Sequence, residues 1–313
     1  MTMQFRELAS QAAADGTISA EEVLSLRRVA RPDGVIDPAE AEAILVVNDH
    51  VADKSAEWTQ FLCEAIVEFV VNGRQPKGYV DDATAQWLIE RLDHDGRLDS
   101  VTELELIVRV LEKALNAPDL LKRYVLDHIE RAVLSNEGPT RADDIPPPGA
   151  ISDAECRLLR RVIFASGGDG PARVSQAEAE MLFRLKDATL GSANGPEWER
   201  LFVQGVGNYL QGWQGAAPLS SERAGELESF MNDRTSRVGK FFGRMAKVNA
   251  GTFAGAVHAV TLGRDGPRRD IAGEARAAHE VTNAETLWLN ARIDADDKVD
   301  ALEQALLDFI ADE

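Results

Sequence analysis

Apolar positions in this chain recur every three to four residues, and no long segment alternates apolar with polar as a half-buried strand does. With capping residues placing the ends, the pattern predicts helices over 3–14, 19–31, 37–50, 55–72, 81–92, 99–116 and 118–136. Asn136-Glu137-Gly138-Pro139 and Asp143-Asp144-Ile145-Pro146-Pro147-Pro148-Gly149 then interrupt the periodicity. Consecutive prolines cannot continue a helix and stiffen an extended chain, so 138–150 reads as a linker. Beyond it, helices are expected over 152–165, 175–188, 196–212, 220–232, 234–248, 268–292 and 299–312. The expected fold class is all-α.

The pattern occurs twice. Ile18-Ser19-Ala20-Glu21-Glu22, followed by Leu26-Arg27-Arg28-Val29, returns as Ile151-Ser152-Asp153-Ala154-Glu155, followed by Leu159-Arg160-Arg161-Val162. Glu57-Trp58 returns as Glu197-Trp198, and Trp87-Leu88 as Trp288-Leu289. The acidic positions Asp93, Asp95 and Asp99 return as Asp294, Asp296 and Asp300. Two tandem homologous helical bundles, 1–137 and 151–313, are therefore expected.

A shorter signature starts many of the helices: an aliphatic residue, Ser or Asp, two residues, then usually Glu. It occurs at Ile18-Ser19-Glu22, Ile36-Asp37-Glu40, Val80-Asp81-Thr84 and Leu98-Asp99-Thr102. It recurs at Ile151-Ser152-Glu155, Val174-Ser175-Glu178, Leu219-Ser220-Arg223 and Val299-Asp300-Glu303. Ser or Asp as N-cap, Glu closing a capping box and the aliphatic as a staple explain it by local physics.

Asp-Gly often precedes the signature, at Asp15-Gly16, Asp33-Gly34 and Asp95-Gly96, where glycine supplies the positive φ of a tight turn. The combination D-G-x-(I/V/L)-(S/D)-x-x-E resembles the second half of an EF-hand calcium loop. The resemblance is fullest at Asp294-Ala295-Asp296-Asp297-Lys298-Val299-Asp300-Ala301-Leu302-Glu303. There Asp294, Asp296, Asp300 and Glu303 fall on loop positions three, five, nine and twelve. Arg292 stands at position one and Asp297 replaces the glycine. At the first copy Asp93, Asp95 and Asp99 match, Arg91 holds position one, and Glu103 lies one residue late. Short acidic turns between single helices also resemble the tellurite-resistance TerB-like domains, which are all-helical. That resemblance rests on Ala14-Asp15-Gly16-Thr17-Ile18-Ser19-Ala20-Glu21-Glu22. It implies divalent-cation binding, to Ca²⁺ or Mg²⁺, at Asp15, Asp33, Asp95 and Asp296 with their following carboxylates. The seven candidate metal ligands are Asp93, Asp95, Asp99, Asp294, Asp296, Asp300 and Glu303. With so few carboxylates per loop the expected dissociation constant is on the order of 10⁻⁴ M or weaker.

Charge narrows the partners. Net charge is −19, which argues against general nucleic-acid binding, since phosphate neutralisation needs clustered Lys and Arg. No run approaches the ~20 apolar residues of a membrane span. The first residues lack an apolar leader core, so the expected compartment is the cytoplasm. The two cysteines, Cys63 and Cys156, correspond to Val203 and Val23 of the other copy and read as small buried hydrophobes.

One region reverses the charge. Trp198 and Trp288 are far more widely spaced than Trp58 and Trp87, which places an insertion at about 215–285. Within 234–269 eight basic residues face a single acid, Asp265. Val238, Phe241, Phe242, Met245 and Val248 fall at helical spacing, with Arg237, Lys240, Arg244 and Lys247 largely on the other face. Such a basic amphipathic helix docks a protein partner, an anionic surface, or the acidic body of its own chain. The candidate partner-binding residues are Arg237, Lys240, Phe241, Phe242, Arg244, Met245 and Lys247.

Catalytic motifs are lacking. His50, His94, His128, His258 and His279 form no HExxH or close pair, and no GxSxG, Walker A or GxGxxG is present. The expectation is a non-enzymatic cytoplasmic binding protein whose acidic turns bind a divalent cation and modulate docking of the basic insertion. The alternatives are a metal-independent helical adaptor, in which the turns are only caps, and a metal-dependent hydrolase.

Overall fold

The computed structural model describes residues 16–30, 36–52, 54–93, 96–141, 149–165, 167, 173–210, 283–293 and 299–312. Eleven α-helices run through them: α1 (Ala20–Ala30), α2 (Pro38–His50), α3 (Ala56–Val67), α4 (Asp82–Leu92), α5 (Val101–Lys113), α6 (Asp119–Ser135), α7 (Asp153–Ile163), α8 (Gln176–Ala188), α9 (Glu197–Leu210), α10 (Asn283–Ile293) and α11 (Ala301–Asp312). No strand occurs among the described residues; Tyr79 and Asn116 form an isolated bridge. The fold is all-α, as the periodicity predicts. The helices expected over 3–14, 220–232 and 234–248 lie outside the described residues, as does most of 268–292.

Two boundaries differ from the sequence reading for identifiable reasons. The helix expected over 55–72 is α-helical to Val67 and continues as a π-turn, Glu68–Asn72. The helix expected over 99–116 spans only Val101–Lys113. Its N-cap is Ser100 rather than Asp99. Its end is fixed because the backbone beyond it pairs elsewhere: Leu115 N donates to Gly78 O at 2.7 Å and Val80 N to Asn116 O at 3.0 Å.

Helices α3 and α9 are the centres of packing. Trp58, Phe61, Leu62 and Ile66 of α3 are buried beside Leu104, Ile107, Val108 and Leu111 of α5. Trp198, Leu201 and Phe202 of α9 are buried beside Leu182 and Phe183 of α8 and Leu306 of α11. Each fully buried side chain of this size contributes about 1.5–3 kcal/mol. Cys63 and Cys156 are both unpaired and buried in this apolar interior, in agreement with the sequence reading.

The first six α-helices do not stand apart from the rest. α5 and α6 pack on α7, and α6 also packs on α8. Arg161 of α7 reaches Glu105 at 2.6 Å and Glu112 at 2.8 Å on α5, and Arg184 of α8 reaches Glu130 of α6 at 2.7 Å. Gly167 lies against the end of α5, donating to Leu111 O at 3.0 Å and accepting from Ala117 N at 2.6 Å. A Cβ there would come within 2.6 Å of Leu111 O, so only glycine fits this approach.

Candidate functional site

Among the described residues the helix-start signature is a set of caps, except that at Leu98-Asp99-Thr102 the cap is Ser100. Asp37/Glu40, Ser100/Glu103, Ser152/Glu155 and Ser175/Glu178 form reciprocal capping boxes. Ser19 and Glu22 exchange the same two bonds, as do Asp300 and Glu303, and Asp81 accepts from Thr84 N. Leu219-Ser220-Arg223 lies outside the described residues.

Capping boxes usually sit at the surface, but several of these glutamates are interior. Glu40, Glu103, Glu155, Glu178 and Glu303 are all buried. An ionised carboxylate away from water needs a counter-charge or several donors. In four cases a neighbouring segment supplies a basic group. Arg141 lies 2.8 Å from Glu155, Lys122 lies 2.7 Å from Glu178, and Lys186 lies 2.7 Å from Glu303. Glu103 accepts from Asn48 Nδ2 at 3.0 Å, with Lys54 Nζ further off at 3.8 Å.

The acidic turns are built around these glutamates. In the first, Asp93 ends α4 and its Oδ1 accepts from Gly96 N at 2.6 Å. Gly96 has φ +78°, the positive value expected of the Asp-Gly turn. Arg131 of α6 donates to Gly96 O at 2.8 Å. Asp99 N and Ser100 N both donate to Glu103 Oε2, at 2.8 and 3.0 Å. The side chain of Asp99 is exposed. Asp95 lies outside the described residues.

In the second turn Asp300 and Glu303 do converge, and an ammonium sits between them. Lys186 Nζ donates to Asp300 Oδ2 at 2.6 Å and to Glu303 Oε1 at 2.7 Å. It also lies 2.9 Å from Asp187. Burial opposes the Asp300 charge, but the Lys186 bond and the Glu303 and Leu302 amides outweigh it and hold its carboxyl below the ordinary aspartate value. Burial likewise opposes the Lys186 charge, yet its three carboxylate partners raise its pKa above the ordinary lysine value. Asp294 and Asp296 lie outside the described residues, as do Arg237, Lys240, Phe241, Phe242, Arg244, Met245 and Lys247.

A tryptophan–glutamate–arginine contact accompanies each turn. Trp87 Nε1 and Arg91 Nε of α4 both donate to Glu42 of α2, at 2.9 and 3.0 Å. Trp288 Nε1 of α10 donates to Glu180 of α8 at 3.4 Å, where Arg292 also reaches at 3.4 Å. The helix before each turn is thus latched by side chains that recur in the sequence.

Sequence reasoning missed Lys186, Asn48, Arg141 and Lys122. The two lysines had a faint signal. Lys186 and Lys122 stand on helix faces that otherwise carry buried apolar residues, Leu182 and Phe183 in one case, Val125 and Leu126 in the other. Arg141 lies beside the proline run that reads as linker, yet it is buried and fixes the loop by donating to Ala150 O at 2.8 Å and to Glu155.

Among the described residues no group of three or more His, Cys, Asp or Glu side chains is placed to share a metal ion. The thiols are not activated: burial pushes Cys63 up to about 11 and Cys156 up to about 12, which keeps both protonated at neutral pH. Among the described residues no helix is long and apolar enough to cross a membrane. No family model, no curated protein and no solved structure matches the chain.

Proposed function

We propose that the protein is a non-enzymatic helical binding scaffold of two repeated bundles, in which the acidic turns are closed by the chain's own cations. This is the metal-independent adaptor reading. One observation carries it. At Asp300 and Glu303, within the turn most like a calcium loop, Lys186 Nζ already holds both carboxylates at 2.6 and 2.7 Å. An ion binding there must displace a buried ammonium, and that cost is set against a small number of carboxylate ligands. The paired Trp–Glu–Arg latches, Glu42 with Trp87 and Arg91, Glu180 with Trp288 and Arg292, support the reading of a duplicated framework.

The partner contact in this reading is the basic segment 234–269, with Arg237, Lys240, Arg244 and Lys247 beside Phe241, Phe242 and Met245. Its charge suits an acidic protein partner in the cytoplasm.

Calorimetric titration of chelator-treated protein with calcium, then magnesium, tests the metal-independent claim. No saturable heat and no shift in melting temperature at millimolar ion are expected. Saturable binding that is lost on Asp300→Asn would restore the cation-responsive reading.

A further inference from the structure

We draw no further inference here: the strongest candidate, the groove between α6 and α8 lined by Leu126 and Met181, is rimmed by side chains that already pair with one another, Lys122 with Glu178 and Arg184 with Glu130, and nothing in the structure shows what covers it.

Discussion

The two acidic turns read alike in sequence but are neutralised differently. Asn48 and Lys186 occupy matching places, each the same number of residues beyond the N-cap of its helix, Asp37 in α2 and Ser175 in α8. Both donate to the capping glutamate of a later helix: Asn48 to Glu103 at 3.0 Å, Lys186 to Glu303 at 2.7 Å. The difference extends one contact further. An amide both donates and accepts, so Asn48 Oδ1 also accepts from Trp58 Nε1 at 3.2 Å. An ammonium has no acceptor, and the corresponding Trp198 Nε1 is buried without a partner among the described residues. The first site therefore satisfies its indole and leaves the carboxylate charge to Lys54 at 3.8 Å. The second neutralises its carboxylate directly and leaves the indole without an acceptor among the described residues. The same backbone cap does not fix how its buried charge is balanced.

The largest break in this comparison comes from Lys186→Met. It strips the ammonium from Glu303 and Asp300 and is expected to cost about 3–5 kcal/mol in urea unfolding, because one buried partner of an ion pair is left alone. Asn48→Ala is expected to cost less, about 1–3 kcal/mol, since Glu103 keeps its two amide donors and the nearby Lys54. Lys186→Asn sharpens the contrast: it gives Trp198 Nε1 an acceptor while removing the charge, so it should destabilise less than Lys186→Met in the same assay.

Stability against pH separates two buried lysine–carboxylate pairs. The Asp300 pKa is lowered in the fold, so its contribution is present above the ordinary value of 3.8 and is lost as pH falls through the folded value. Burial raises the Glu178 pKa despite Lys122, so its contribution is present below 4.5 and is lost as pH rises through the folded value. Relative to the wild type, Asp300→Asn should therefore close its stability deficit in acid. Glu178→Gln should gain on the wild type between acid and neutral pH. Chemical denaturation across that range reads both trends. The smallest effect is expected from Ser100→Ala, about 1 kcal/mol for one lost cap, while Asp99→Ala should leave the α5 cap intact.

That last pair marks where the sequence misleads. The reading Leu98-Asp99-Thr102 puts the cap one residue early, because an Asp followed by Ser offers two registers and only the position of Glu103 decides between them. Elsewhere the caps were legible, at Asp37, Ser152 and Ser175 among others, because capping is a contact over three residues. Helix existence was equally legible, since the apolar faces of α3, α5 and α9 must be buried somewhere. The counter-ions were not. Lys186 meets Asp300 and Glu303 across more than a hundred residues of chain, and Arg141 is buried beside a stretch whose prolines signal a linker. Local chemistry reveals that a glutamate closes a cap; only packing reveals that the glutamate is interior and which cation answers it.

The most direct test of the central claim is a double-mutant cycle on Lys186→Met and Glu303→Gln, measured by urea unfolding. A coupling of about 2–3 kcal/mol is expected if the ammonium is the counter-charge that closes the acidic turn. Additive effects of the two substitutions would contradict it and would reopen the turn to an external cation.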